Sequence, residues 1–147
     1  MHVNFGPHLM IDMQGCDVEA LSSLQGCFEG LAELPDLVSM TPITQPYVFP
    51  YQGKQPQDAG ITGFVVIAES HISIHTFPER AYCFIDIFSC RDFDVEKALQ
   101  YCLQWFKPSS HEVFRANRGR HFRSASNEQA TSTINGTINL VKPVAIS

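Results

Sequence analysis

The chain has 147 residues, of which 44% are hydrophobic and 17% charged, so it is long enough for one globular domain with its own core. Its formal net charge of −5 argues against a dedicated nucleic-acid binder, which would normally carry a basic face. No stretch approaches the roughly 18 apolar residues of a membrane span, and the N-terminal residues lack the basic start and apolar core of a secretory signal.

The five cysteines stand at unrelated positions and include no CxxC pair. An odd number at irregular spacing does not suggest a disulfide framework, and reduced thiols are the simplest interpretation. We therefore expect a cytoplasmic protein that binds neither nucleic acid nor membranes.

The first part of the chain predicts a strand followed by a helix. Residues 8–13 form a short apolar run, which is typical of a strand. Asp17 is a good helix N-cap, the apolar residues after it recur at steps of three and four, and Pro35 should end the helix. We therefore predict a single helix over about 17–34.

The middle of the chain predicts an edge segment and three strands. Three prolines in 36–52 exclude a central strand and favour an extended edge segment, and 53–60 has the composition of a polar loop. Residues 61–68 are rich in β-branched side chains, as in a buried strand. Residues 71–77 alternate between apolar and polar side chains, and 81–90 is apolar on both faces, which predicts an inner strand.

The last part of the domain predicts a second helix and a final strand. Asp92 or Asp94 caps that helix, and 111–116 is the strand. The elements together predict an α+β two-layer sandwich, an antiparallel sheet with two helices packed on one face. We place the domain at 1–123 and expect the small, polar residues 124–147 to form a mobile tail.

Several reactive side chains cluster in the middle of the chain, and each has an ordinary structural interpretation. His71 and His75 suggest a metal pair, but in a strand they lie roughly 13 Å apart and cannot bind one ion, so we predict no metal site. Taken singly, Ser70 would be a turn residue, Glu79 a solvated carboxylate and Cys90 a buried apolar thiol.

Taken together, these residues resemble a known family. Residues 68–79, AESHISIHTFPE, and 82–90, YCFIDIFSC, are similar to the prokaryotic S-adenosylmethionine decarboxylases. A looser resemblance extends over about 5–122 and includes RGR at 118–120. It implies a self-processing proenzyme and a decarboxylase that makes the aminopropyl donor for spermidine and other polyamines.

The resemblance also implies how the cofactor arises. In the family, a serine attacks the carbonyl before it, an N-to-O acyl shift gives an ester, and elimination with hydrolysis leaves a pyruvoyl group. By this resemblance the serine is Ser70, and the chain is cut between Glu69 and Ser70 into a β chain, 1–69, and an α chain, 70–147. The covalent pyruvoyl group derived from Ser70 would be the cofactor.

Four further residues receive roles from the same resemblance. His75 matches the histidine that assists the elimination, and Cys90 matches the cysteine that protonates the product carbon. Thr62 stands where the family has a serine that assists processing. Glu79 matches the glutamate that binds the ribose hydroxyls of the substrate.

The substrate pocket matches the family less closely. Phe49 and Tyr51 are candidates for stacking on adenine, but an extra loop, 52–59, follows them, and Phe77 replaces the expected tryptophan. Two alternatives stay open at this point. The same machinery could act on arginine or ornithine, or the chain could be an unprocessed, non-catalytic homologue that serves as a dimeric binding or regulatory module.

The predicted strand raises a question of distance. If 71–77 is straight, His75 lies roughly 16 Å from Ser70 and cannot reach it within one chain. Either the chain folds back after Ser70 or a second subunit supplies His75. We expect a homodimer with shared active sites, in which Ser70 and Cys90 of one protomer meet Thr62, His75 and Glu79 of the other.

Overall fold

The computed structural model describes residues 5–122, so the predicted tail from residue 124 lies outside the described residues. The strands are β1 (Gly6–Gln14), β2 (Tyr47–Tyr51), β3 (Gly60–Ile67), β4 (Ser70–Phe77), β5 (Tyr82–Ser89) and β6 (Ser110–Arg118). The helices are α1 (Val18–Ser22), α2 (Leu24–Leu37) and α3 (Val95–Phe106), with short 3-10 turns at Pro56–Asp58 and Pro78–Arg80. Within the described part of the chain, no helix has the length and apolar character needed to span a membrane.

The six strands form one antiparallel sheet in the order β2-β3-β4-β5-β1-β6. The helices pack on one face of this sheet, and their apolar side chains form a single core with the inward-facing strand residues. The predicted α+β sandwich with an antiparallel sheet is therefore confirmed. Its edge strand β2 contains Pro50 and, among the strands of residues 5–122, pairs only with β3, as the prolines of this segment require.

The prediction of two helices is wrong, because the predicted helix 17–34 is broken at Ser23. The backbone of Ser23 is extended, with ψ of 102°, and its hydroxyl accepts a hydrogen bond from the N–H of Gly26 at 2.9 Å. Ser23 is therefore the N-cap of α2, and α1 is a separate short helix capped by Asp17. A local side-chain hydrogen bond interrupts an apolar pattern that runs through both helices.

The predicted end of this helix at Pro35 is also wrong. Pro35 lies inside the last turn of α2, which continues to Leu37. A proline at this position removes the hydrogen bond that its own N–H would have made and crowds the carbonyl of Leu31, yet only two further residues of the helix follow it. The turn is completed beyond it by the N–H of Val38, which donates to the carbonyl oxygens of Leu34 and Pro35.

The strand β4 has the predicted alternation. Ile72, Ile74 and Thr76 are buried against the helices, while His71 and His75 lie on the opposite face. Within residues 5–122, this outer face of the sheet carries aromatic side chains that are between 37% and 56% exposed: Tyr47, Phe49, Tyr51, Phe64 and Phe84. The sheet therefore has one packed face and one face that is rich in exposed aromatic side chains.

Candidate active site

The turn between β3 and β4 contains the predicted cleavage point. Ile67 and Ser70 are partners across the two strands, so the chain reverses through only two residues, Ala68 and Glu69. Two residues form the shortest common hairpin connection. The peptide bond between Glu69 and Ser70 therefore lies where this tight turn meets the first residue of β4.

The side chain of Glu69 is buried beside the turn, with 7% of its surface exposed. Its Oε2 atom accepts a hydrogen bond from the N–H of Thr41 at 3.0 Å. Its Oε1 atom lies 2.6 Å from Nη2 of Arg91, which also donates to the carbonyl oxygen of Ser39 at 2.7 Å. These partners compensate the carboxylate for its loss of hydration.

The same contacts set the protonation of Glu69. Burial raises the pKa of this carboxyl, but backbone hydrogen bonds, including that from Thr41, and the positive charge of Arg91 lower it by more. The pKa of Glu69 therefore lies below its usual range, and the side chain is ionised at neutral pH. The N–H of Ala68 adds a 2.8 Å hydrogen bond to the carbonyl oxygen of Thr41, so the turn is fixed on both sides.

The carbonyl group of Glu69 is held by the residue that directly follows the strand β5. Its oxygen accepts a hydrogen bond from the N–H of Cys90 at 2.9 Å. A donor at this place polarises the carbonyl group and stabilises negative charge that develops on its oxygen during nucleophilic attack. The arrangement therefore suits attack at the carbonyl carbon of Glu69.

The hydroxyl of Ser70 lies beside a histidine of its own strand. Its Oγ atom is 3.1 Å from Nδ1 of His71, which is hydrogen-bonding distance. The backbone of Ser70 pairs with Ser89, and Cys90 follows directly in the chain. The fold thus brings Glu69, Ser70 and Cys90 together. His71 joins them, although the sequence did not assign it to the site.

Cys90 differs from the ordinary interpretation of a cysteine at a strand end. It is exposed, whereas the other four cysteines are buried in the core. A thiol in this position is accessible to a bound molecule next to the Glu69–Ser70 bond. The ordinary interpretation of Cys90 as a buried apolar thiol is therefore wrong, and its predicted catalytic role stays a prediction.

A second group of predicted site residues lies at the other end of β4. Thr62 and His75 are partners across β3 and β4, and the Oγ1 atom of Thr62 is 3.2 Å from Nδ1 of His75. Phe49 pairs with Thr62 from the edge strand and is 51% exposed on the same face. Tyr51 lies further along the edge strand and is 56% exposed.

Glu79 belongs to this second group by its position. It is exposed in the 3-10 turn Pro78–Arg80 that directly follows β4. Its neighbour Arg80 fixes the extra loop, because Nη2 of Arg80 lies 2.9 Å from Oδ1 of Asp58 and its Nε donates to the carbonyl oxygen of Gln57 at 3.2 Å. The loop 52–59 therefore lies against the turn that carries Glu79.

The two groups do not meet within one chain. Ser70 and His75 are five positions apart along the extended strand, a distance of about 16 Å at the usual rise of a strand. Thr62 and His75 are together, and Glu69, Ser70 and Cys90 are together, but the strand β4 holds the two groups apart.

No three histidine, cysteine, aspartate or glutamate side chains among residues 5–122 are arranged to bind a metal ion. His71 and His75 point from the same strand face and have different partners, Ser70 and Thr62. Each histidine is thus available for proton transfer with a neighbouring hydroxyl group.

The fold and this site define a two-layer α+β protein with a serine and two histidines on the central strand β4 and an exposed cysteine directly after the adjacent strand β5. Residues 7–119 match the family model described as S-adenosylmethionine decarboxylase. Since the match covers more than half of the chain, the protein belongs to the S-adenosylmethionine decarboxylase family.

Individual relatives agree with this assignment. The chain is 36% identical over 115 residues to the S-adenosylmethionine decarboxylase proenzyme of Archaeoglobus fulgidus, covering 78% of this chain and 97% of the relative. It is 31% identical to the proenzyme of the same name from Thermomicrobium roseum, and the alignment covers 79% of this chain and 95% of the relative. The crystal structure of the adenosylmethionine decarboxylase from Aquifex aeolicus VF5 aligns with a TM-score of 0.69 and 26% identity, covering 86% of this chain and 98% of that one.

Proposed function

We propose that this protein decarboxylates S-adenosylmethionine after cutting its own chain between Glu69 and Ser70, and thereby supplies the aminopropyl donor for polyamine synthesis. Membership of the family and the names of the relatives support the substrate and the reaction. One observation carries the proposal. The carbonyl oxygen of Glu69 accepts a 2.9 Å hydrogen bond from the N–H of Cys90, and the hydroxyl of the adjacent Ser70 lies within hydrogen-bonding distance of His71.

The residues at the turn fit the formation of a pyruvoyl group. Ser70 supplies its carbon skeleton, and the hydrogen-bonded carbonyl of Glu69 is the electrophile that the hydroxyl attacks. His75 is the proposed base for the elimination step, and Thr62 hydrogen-bonds it and would orient its ring. A pyruvoyl group formed from Ser70 would supply a carbonyl for capture of the substrate amine and an electron sink for decarboxylation.

The remaining site residues would bind the substrate and complete the reaction. Cys90 is exposed beside the cleavage point, where its thiol would deliver a proton to the product carbon. The exposed carboxylate of Glu79 would accept hydrogen bonds from two ribose hydroxyls. Phe49 and Tyr51 present exposed rings on which adenine would stack.

A homodimer with shared sites would join the two residue groups. Ser70 and Cys90 of one protomer would meet Thr62, His75 and Glu79 of the other, which removes the separation of about 16 Å along β4. The exposed aromatic side chains of the outer sheet face support such an association, because apolar patches of this kind commonly mark interfaces.

The five unpaired cysteines further support a cytoplasmic location, since thiols stay reduced there.

Intact mass of the purified protein tests the cleavage. The expected result is two fragments, 1–69 and 70–147, the second with a blocked N-terminus, and a single full-length species for Ser70→Ala. Release of labelled CO2 from S-adenosylmethionine, arginine and ornithine, assayed side by side, then tests the substrate. A wild-type chain that remains full length with an unmodified Ser70 would refute the catalytic proposal, and release from arginine or ornithine alone would refute the substrate.

A further inference from the structure

We propose that His71 is a catalytic residue of the self-cleavage and acts as the general base that removes the hydroxyl proton of Ser70. This role rests on the proposed cleavage and adds the group that starts it. A serine hydroxyl is a weak nucleophile at neutral pH unless an adjacent base accepts its proton during the attack.

The geometry at the turn satisfies both requirements of an acyl shift. Nδ1 of His71 lies 3.1 Å from Oγ of Ser70, within the reach of a general base. With the ring proton on Nε2, Nδ1 accepts the hydrogen bond that the hydroxyl donates. On the electrophile, the N–H of Cys90 lies 2.9 Å from the carbonyl oxygen of Glu69. A base for the nucleophile and a donor for the carbonyl oxygen thus flank one peptide bond.

The ring of His71 is held in place by its neighbours on the outer sheet face. It packs edge-on against Phe88, with ring centroids 5.9 Å apart and an interplanar angle of 63°. Phe88 is also its partner across β4 and β5. A ring fixed by a strand neighbour and an aromatic contact retains its orientation toward Ser70.

The charged groups around His71 come from three other strands: His8 on β1, Asp86 on β5 and Arg118 on β6. Burial lowers the pKa of His71, His8 and Arg118 lower it further, and Asp86 opposes them. The resulting pKa lies below the usual value for histidine, so the imidazole is neutral at neutral pH. The neutral ring is the form that can accept a proton.

The proposed step balances in protons. As Oγ of Ser70 bonds to the carbonyl carbon of Glu69, its proton passes to Nδ1 of His71, and the carbonyl oxygen becomes an oxyanion held by the N–H of Cys90. His71 then returns the proton to the nitrogen of Ser70 as the carbon–nitrogen bond breaks. The products are an ester between the two residues and a free amino group, and His71 is neutral again.

The amount of ester formed measures the step in which His71 is proposed to act, apart from the later elimination in which His75 is proposed to act. In a His75→Ala background, where the proposed elimination base is absent, the chain should stop at the ester. Hydroxylamine cleaves esters under mild conditions that leave ordinary peptide bonds intact, and cleavage at the sensitive Asn135–Gly136 bond would give fragments of a different mass. It should therefore release 1–69 as a hydroxamate and 70–147 with an N-terminal serine. Mass spectrometry of these fragments against time measures the rate of the first step alone.

Removing the base should slow this step strongly. His71→Ala in the His75→Ala background should form the ester at least about 100-fold more slowly, the lower range for losing a general base. Added imidazole should restore part of the rate. His71→Gln provides a second variant, because it retains a hydrogen-bonding side chain without a titratable base. The control is His111→Ala in the same background, which removes a histidine that lies on β6 and should form the ester at the parent rate.

The pH profile adds a readout that a purely structural role would not change. With His71 present, ester formation should fall as the pH drops through the pKa of His71, because the protonated ring cannot accept a proton. In the folded His71→Gln protein, the remaining rate of ester formation should not show this fall with pH.

Ester formation at the parent rate in both His71 variants would overturn the role of His71 while leaving the proposed cleavage intact. If wild-type protein forms neither ester nor fragments, the proposed cleavage fails and the role of His71 fails with it.

Discussion

The main-chain N–H of Cys90 donates a 2.9 Å hydrogen bond to the carbonyl oxygen of Glu69. This contact joins the residue after β5 to the turn before β4, and it depends on the backbone of Cys90 rather than on its thiol. Cys90 therefore has two separable properties, a donor for the cleavage step and an exposed thiol for the later proton transfer.

Two substitutions at Cys90 should separate these properties. Cys90→Pro removes the N–H and should slow chain cleavage by about 100-fold or more, the usual loss for one donor to a developing oxyanion. Cys90→Ala retains the N–H, so it should cleave at close to the wild-type rate and then release CO2 with defective proton delivery to the product. Gel electrophoresis against time measures the cleavage, and circular dichroism checks that both variants fold. Equal cleavage by the two variants would contradict the role of the N–H.

Arg91 should stabilise the turn through the charge of Glu69. Because the pKa of Glu69 is lowered in the folded protein, its contribution to the free energy of unfolding is complete above the ordinary carboxyl pKa. That contribution disappears as the pH falls through the lower, folded-state pKa. Arg91→Ala should remove the salt bridge and raise the pKa of Glu69.

Urea unfolding at several pH values measures this effect. At neutral pH, Arg91→Ala should lower the free energy of unfolding by about 1 kcal/mol, a modest value because the Arg91 side chain is 57% exposed. The difference from wild type should shrink in acid, where Glu69 is protonated in both proteins. Arg80→Ala, which breaks the exposed pair with Asp58, is the matched control and should cost less than about 0.5 kcal/mol. A difference for Arg91→Ala that stays constant with pH would show that it does not act through Glu69.

Much of the fold was predictable from short-range patterns. The alternation in 71–77 predicted that Ile72 and Ile74 share one face of β4 and that His75 lies on the other, but the register that places His75 beside Thr62 could not be read from it. The break between α1 and α2 at Ser23 was not predictable, because apolar residues continue at steps of three and four across it. There, one hydroxyl bonds to a backbone N–H and decides the local conformation.

The contacts of the site were less predictable than its motif. Arg91 lies 22 positions after Glu69, and their ion pair depends on the register of β4 against β5. The contact between Ser70 and His71 is also unexpected, since neighbouring strand residues normally point to opposite faces. It is possible here because Ser70 is the first residue of β4 and directly follows the turn.

The outer sheet face should determine the oligomeric state. Phe64 is 38% exposed there and stacks on Tyr47 with ring centroids 5.3 Å apart. Phe64→Asp would place a charge in the proposed interface and should convert dimers into folded monomers in analytical ultracentrifugation, because burying an unpaired carboxylate is costly. Gln104→Asp, on the exposed side of α3, is the control and should not change the molecular mass. A dimer of unchanged stability in Phe64→Asp would exclude this face as the interface.

Shared active sites predict that two inactive variants restore processing when they form a mixed dimer. Ser70→Ala lacks the residue to be cut, and His75→Ala lacks the proposed elimination base, so each variant expressed alone should give no pyruvoyl-bearing chain. Co-expressed with different tags, the two chains should form mixed dimers in which His75 of one subunit serves Ser70 of the other. Random pairing would then give about one quarter of the wild-type number of complete sites.

The fragments identify which chain was processed. Mass spectrometry should find the blocked N-terminus only on the fragment derived from the His75→Ala chain, because only that chain retains Ser70. Decarboxylase activity should appear in the mixed preparation and be absent when the two proteins are purified separately and assayed without subunit exchange. If the mixed dimers form but show neither processing nor activity, His75 does not act across the interface. The strand β4 would then have to rearrange within one subunit to bring His75 to Ser70.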